Sequence, residues 1–207
     1  QYRDAQALAG ADRVHPADLW PVERRFREPE GAVSLSPLPY GPEARARLDA
    51  AVLRIVKSGD LKAALSLRDT CLGFVAAQTD RQARAFWKIC AGFFDAFGSG
   101  LLPPDVYVKR VASRVLMQYA TLAKGDPTIA DRLVQDLLFF CSQAKVADLA
   151  EDAAPSLRAV RQAFALDRFT PVDYETARFG RFDPAVLTQA RKRIASATET
   201  WSALAGG

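Results

Sequence analysis

Apolar residues recur every three or four positions from Glu43 onward, and this spacing constrains the fold of the chain more than any other feature. In residues 44–58 they fall at i, i+3, i+4, i+7 and i+8, which places them along one side of an α-helix. No segment alternates apolar and polar residues as a half-buried strand does. The sequence therefore predicts an all-α protein.

Glycine, proline and aspartate divide this pattern into seven predicted helices joined mostly by short turns. Asp60 and Asp80 are candidate N-caps, Asp105 begins a further helix, and Asp126 is a predicted cap with Pro127 as the first helical residue. The predicted helices span residues 44–58, 61–78, 81–97, 105–124, 128–145, 154–166 and 183–201. Short turns between helices favour an antiparallel bundle.

Residues 1–42 differ from the rest because they hold six of the twelve prolines, which recur too often for a long helix. Their large apolar residues are too many for a solvated linker; they are Leu19, Trp20, Val22, Phe26, Val33, Leu35, Leu38 and Tyr40. We predict an extended strap whose large side chains fill grooves between helices. The expected organisation is one domain, with the strap at 1–42 and the bundle at 43–207.

Composition excludes several classes of protein. A hydrophobic content of 49% and a charged content of 25% are typical of a globular domain and fit neither a disordered tail nor a membrane span. A net charge of +4, from 28 basic and 24 acidic residues, permits nucleic-acid binding without indicating it. The chain starts at Gln1 without an initiator methionine or a signal sequence, so we expect a piece of a longer cytoplasmic protein.

The sequence has only one histidine and three cysteines, so it offers few residues for metal binding or catalysis by these side chains. His15 is the only imidazole, and it precedes Pro16 in the strap, so it cannot project from the middle of a helix as a phosphate-accepting histidine does. The three cysteines, Cys71, Cys90 and Cys141, have no metal-ligand spacing and large apolar neighbours. We predict an incidental His15 and three buried, inert thiols, with no metal site.

Asp148, Glu151 and Asp152 form an acidic cluster near the start of a predicted helix. Such a cluster fits either a metal or acid–base site or, as we favour, a first turn that satisfies the helix dipole. The sequence has no glycine-rich phosphate loop, no GxSxG and no HExxH motif. We therefore expect no enzyme activity and no cofactor.

Arginine and aromatic residues interleave in the predicted loop 167–182, and these are the candidate partner-binding residues: Arg168, Phe169, Arg178, Phe179, Arg181 and Phe182. Three interpretations stay open. The favoured one is a second strap with buried aromatics, the next is a protein-docking surface, and the third is single-stranded nucleic acid. The basic triplet at 191–193 lies on a predicted helix with apolar neighbours, so we expect it on a solvated face.

Three stretches together resemble a known family: residues 133–144 (LVQDLLFFCSQA), residues 173–175 (DYE) with 178–184 (RFGRFDP), and residues 15–20 (HPADLW). They are similar to the amino-terminal region of CheA-like hybrid histidine kinases of type IV pilus chemosensory systems, the ChpA or PilL type, and to the related scaffold protein FimL. The resemblance implies a cytoplasmic signalling protein that controls pilus-driven twitching motility.

No predicted helix carries a histidine, so neither the phosphotransfer nor the kinase chemistry of that family can be assigned to a residue here. What the resemblance implies is a non-catalytic scaffold that docks response regulators or other chemosensory and pilus-localisation proteins. From the missing motifs, the mixed charges and the composition, we expect no cofactor, no nucleic acid and no membrane partner. Two alternatives remain: a degenerate phosphotransfer-like bundle that binds receiver domains without accepting phosphate, and an arginine-rich nucleic-acid binder.

Overall fold

A computed structural model describes residues 17, 27–31, 36–147, 149–150 and 152–171. All of them lie within Gln1–Pro171, one of two compact units into which the chain divides. The described part contains six α-helices, a short 3-10 helix and no strand, which confirms the predicted all-α fold. The helices are α1 (Pro42–Ser58), α2 (Leu61–Ala77), α3 (Arg81–Gly98), α4 (Val106–Ala123), α5 (Asp131–Gln143) and α6 (Pro155–Ala163), and the 3-10 helix is Leu166–Arg168.

Three aspartates cap helices as the sequence predicts. Asp60 accepts a hydrogen bond from the backbone N of Ala63 at 3.0 Å, and Asp80 accepts one from Ala83 at 2.7 Å. Asp105 accepts two at the start of α4. These bonds satisfy backbone donors that the first turn of a helix leaves unpaired.

Helix α3 is the centre of the bundle because its apolar residues face most directions, as its sequence indicates. It packs against α2, α5 and α6. Its largest fully buried side chains are Phe86, Trp87, Ile89, Phe93, Phe94 and Phe97. At Gly92 an added Cβ would lie 2.6 Å from Val160, so the absence of a side chain lets α6 approach closely.

The other helices complete a closed ring of neighbours. Helix α1 contacts α2 and α4, and α5 contacts α3 and α4. Arg114 of α4 forms an ion pair with the fully buried Asp136 of α5. The helices thus enclose one core.

The described parts of the strap lie against the helices. The backbone N of Leu38 donates to Gly73 of α2 at 2.9 Å, and Trp87 Nε1 donates to Tyr40 Oη at 2.7 Å. Nearer the amino terminus, Glu28 forms ion pairs with Arg84 and Lys88 of α3; other large strap residues, from Leu19 to Leu35, lie outside the described residues. The division of the domain at residue 42 stays a prediction.

Two predicted boundaries are wrong. Helix α5 begins at Asp131 and not at residue 128, because the Gln118 side chain holds the preceding segment. Gln118 donates to the Thr128 carbonyl at 2.7 Å and accepts from the Ala130 backbone N at 2.9 Å, while Asp126 forms a local turn with Thr128.

Helix α6 ends at Ala163 and is followed by the 3-10 helix, so Asp167 and Arg168 are helical and not in a loop. The predicted helix 183–201 lies outside the described residues.

Candidate docking site

Arg161 of α6 fixes the base of the predicted docking loop. Its guanidinium is buried and donates to the carbonyls of Cys141 and Ser142, at 2.8 and 3.2 Å. These carbonyls belong to the last turn of α5, where backbone acceptors lack partners within the helix. A positive charge is favourable at this end of a helix dipole.

The same guanidinium reaches the 3-10 helix. Arg161 Nε lies 2.8 Å and Nη2 lies 2.6 Å from Asp167 Oδ1. The neighbouring Leu166 is fully buried. The chain is therefore held at two adjacent residues immediately before the first candidate docking residue.

Arg168 and Phe169 are the candidate docking residues that the structure describes. Arg168 is exposed, and its guanidinium carbon lies 4.9 Å from the centroid of the half-buried Phe169 ring. This is a cation–π arrangement. The other four candidates, Arg178, Phe179, Arg181 and Phe182, lie outside the described residues.

The described member of the acidic cluster, Asp152, is not in the first turn of a helix, which corrects the favoured interpretation for this residue. Helix α6 begins at Pro155 with no acidic residue in its first turn, and Asp152 is exposed before it. Asp148 and Glu151 lie outside the described residues. The carboxylate at this helix terminus is the fully buried Asp95 of α3, which accepts from the backbone N of Ser156 at 3.0 Å and of Leu157 at 3.3 Å.

Asp95 also forms an ion pair with Arg68 of α2, 3.0 Å away. One carboxylate therefore joins α2, α3 and α6. Both of its oxygens are occupied by partners within the protein, so its role is structural.

The three cysteines are free and buried, as the sequence predicts. Burial raises the pKa of Cys90 well above its ordinary value, and the nearby Cys71 adds to this rise. Burial raises the pKa of Cys141 to about 12, although the Arg161 charge opposes the rise. Because the thiolate is the reactive form, Cys90 and Cys141 are inert at neutral pH.

The remaining candidates give no site in the described residues. His15 and the basic triplet at 191–193 lie outside them. Within the described part, no group of three or more His, Cys, Asp or Glu side chains is placed to hold a metal ion. No helix that the structure describes combines the length and the apolarity needed to span a membrane.

Sequence reasoning missed the residues that hold the docking region in place, Asp95 and Arg161. A usable signal was present, because each is a lone charge among the apolar positions of its helix. A charge on the buried face of a helix needs a partner. The periodicity alone does not say which partner the fold supplies.

Comparison with known proteins identifies the family. Residues 35–177, more than half of the chain, match the family model described as the FimL scaffold protein second domain. Searches of curated proteins and of solved structures find no match. The matched region contains α1 to α6, the Tyr40 contacts and the base of the candidate docking loop. The chain belongs to the family of the FimL scaffold protein second domain.

Proposed function

We propose that this chain is a non-catalytic docking domain of a chemotaxis-type histidine kinase system that controls type IV pili and twitching motility. Membership of a scaffold family supports a role in holding protein partners. Three free, buried cysteines fit a reducing compartment, and we place the protein in the cytoplasm. Its partners are response regulators and other chemosensory or pilus-localisation proteins.

The proposed docking site consists of Arg168, Phe169, Arg178, Phe179, Arg181 and Phe182. The observation that carries it is the fixed base of this segment. Arg161 and Asp167 hold the backbone, so the exposed guanidinium of Arg168 starts from a defined position. Arginine and aromatic side chains are enriched among the residues that dominate protein interfaces. Holding Arg168 and Phe169 in place before binding lowers the entropy cost of association.

The test measures binding of a purified receiver domain from the same signalling system to the full chain by calorimetry. We expect the double variant Arg178→Ala/Arg181→Ala to weaken this binding by about tenfold or more, equivalent to at least about 1.4 kcal/mol. The matched control is Arg81→Ala/Arg132→Ala, which removes two exposed arginines of α3 and α5. Equal loss in both variants would show a general charge effect and refute the site.

Two further measurements on the same purified chain, phosphate transfer and oligonucleotide binding, test the two alternative functions. A phosphotransfer protein would take a stable, acid-labile phosphate from a phosphorylated receiver; we expect none, because His15 is the only imidazole in the sequence and its position before Pro16 disfavours helical backbone. A nucleic-acid binder would bind single-stranded oligonucleotides below micromolar Kd with strong salt dependence. We expect only the generic range of about 10⁻⁴–10⁻⁶ M, before and after the two arginine changes.

A further inference from the structure

The outward faces of α1 and α4 carry only two carboxylates, Glu43 and Asp49 of α1, and both pair with arginines of the same helix. Residues spaced by four, three and four positions share one face of a helix, because eleven residues make three turns. On α1 the outward stripe is Ala46, Ala50, Leu53 and Lys57, and on α4 it is Val106, Arg110, Ser113 and Met117. An outward face usually carries charged or polar residues of both kinds. These two stripes carry apolar or small residues and cations.

Most of the exposed large apolar residues that the structure describes belong to these two helices. Leu53 is 62% exposed and Met117 is 70% exposed, and Val56 and Val106 are 40% and 43% exposed. The fifth, Leu61, is the first residue of α2. Apolar residues scattered singly over a surface need no explanation, but a group on two adjacent helices indicates a binding surface.

Helices α1 and α4 pack side by side in opposite directions. At one end, Tyr119 Oη exchanges hydrogen bonds of 3.0 and 3.1 Å with the backbone of Gly41. At the other end, a Cβ on Gly59 would lie 2.9 Å from Pro104. Because both helices bury their inner faces in one core, their outward stripes open to the same side. We call this surface, formed by the two stripes and Val56, the α1–α4 face.

The charge of the α1–α4 face and its margins is positive. The two carboxylates of α1, Glu43 and Asp49, already pair with Arg47 and Arg45, and α4 has no acidic residue. The remaining cations are Arg54, Lys57, Lys109 and Arg110, and none of them forms an ion pair with another described residue. The surface thus combines exposed apolar side chains with cations on and beside the two stripes.

We propose that the α1–α4 face is a second docking site, which binds an amphipathic helix of a partner protein whose polar side is acidic. Leu53, Val56, Val106 and Met117 match the apolar side of such a helix. The four free cations match its carboxylates and guide its approach. The small side chains of Ala46 and Ala50 leave room for two helix backbones to come close. This site shares no residue with the segment that contains Arg168.

The test uses the full chain and a fluorescein-labelled synthetic peptide of 18 residues, with leucine at helical spacing on one side and glutamate on the other. Fluorescence anisotropy should show saturable binding. Leu53→Glu and Met117→Glu should each weaken it at least tenfold. Both residues are more than half exposed, so the substitutions spare the core. Arg132→Glu, a larger charge change on the exposed side of α5, should stay within twofold.

Several results would overturn the proposal. One is equal binding of a peptide whose glutamates are replaced by lysine, and another is binding that Leu53→Glu leaves unchanged. Tighter binding of phosphatidylglycerol vesicles or of an oligonucleotide, lost in the same variants, would assign the face to a membrane or to nucleic acid. A dimer in light scattering that Leu53→Glu dissociates would assign it to a second copy. Loss of the peptide in Arg178→Ala/Arg181→Ala would show that the two sites are not separate.

Discussion

At the scale of the residue, Asp95 contributes most to the arrangement of the helices. Its carboxylate is fully buried, accepts from Arg68 and accepts from two backbone N–H groups at the start of α6. A buried charge is costly unless its hydrogen bonds are satisfied, and here three donors satisfy it. The position of α6 relative to α2 and α3 therefore depends on one side chain.

We expect Asp95→Ala to lower the free energy of unfolding by about 3 kcal/mol, because it removes the buried partner of Arg68 and leaves the first turn of α6 without its acceptor. Urea denaturation measures this change. The control is Asp69→Ala, which removes the other, half-exposed partner of Arg68 and should cost less than about 0.5 kcal/mol. Similar losses in both variants would contradict the role given to Asp95.

The ion pairs of Glu28 with Arg84 and Lys88 make this contact between the strap and α3 dependent on pH. Partial burial pushes the pKa of Glu28 up, but the hydrogen bond and charge of Lys88 and the charge of Arg84 outweigh it, so this pKa lies below its ordinary value of 4.5. A lowered carboxylate pKa stabilises the folded state above the unfolded pKa, and this contribution disappears as the pH falls through the folded pKa.

The free energy of unfolding should therefore fall more steeply between about pH 5 and pH 3 in the wild type than in Glu28→Gln. Denaturation series at several pH values give the two slopes. Glu30→Gln removes an exposed carboxylate two residues away and should keep the wild-type slope. Identical slopes in the wild type and Glu28→Gln would show that the contact contributes nothing.

The sequence predicted the burial of individual residues correctly where their neighbours along the helix are apolar. The cysteines could be assigned to the core because their neighbours along each helix are apolar. The partners of Asp95 and Arg161 could not be predicted, since they come from helices about 60 and 20 residues away in the chain. Only the packing of whole helices brings these groups together.

At the scale of the element, local signals placed the helix starts at Asp60, Asp80 and Asp105 correctly. Asp126 has the same N-cap signal, but the next helix begins later, at Asp131. Its carboxylate binds Thr128 in a turn, and Gln118 of the previous helix takes the backbone groups that an earlier helix start would use. A contact between elements therefore overrides a local preference, which periodicity cannot reveal.

We expect Gln118→Ala to cost about 1–3 kcal/mol, because it leaves the Thr128 carbonyl and the Ala130 N–H without partners. Hydrogen exchange should show the Ala130 amide exchanging faster, while amides in the middle of α3 keep their protection. Met117→Ala, on the exposed side of the same helix, should change stability by less than about 0.5 kcal/mol. Unchanged exchange at Ala130 would contradict this account.

At the scale of the whole molecule, the described end of the strap packs against the helices. The Tyr40 ring lies against Phe74 and Tyr119, with centroids 5.4 and 5.5 Å away, and its hydroxyl accepts from Trp87. At Gly73 an added Cβ would lie 2.9 Å from Leu38, so the strap backbone reaches a point that other residues would block. The sequence predicted large strap side chains in grooves between helices, but not which helices; Leu38 and Tyr40 are half-buried against α2, α3 and α4.

Deleting residues 1–41 should destabilise the bundle by several kcal/mol, given about 1.5–3 kcal/mol for each large buried side chain. The melting temperature measures the loss. Deleting residues 1–26 alone is the matched control, since it keeps Glu28, Leu38 and Tyr40, and the difference between the two deletions reports their contacts. An unchanged melting temperature after the longer deletion would mean that residues 1–41 are a free linker.

The reactivity of the three buried thiols can also report how the helices of the bundle separate when the protein unfolds. Cys71, Cys90 and Cys141 lie on α2, α3 and α5, and none is accessible in the folded state. A thiol reagent can therefore react only with molecules that have opened, and its rate follows the frequency of opening. If the bundle opens as one cooperative unit, all three thiols react at the same rate. If α5 separates first, Cys141 reacts ahead of the other two, and mass spectrometry of the labelled peptides distinguishes these sequences of events.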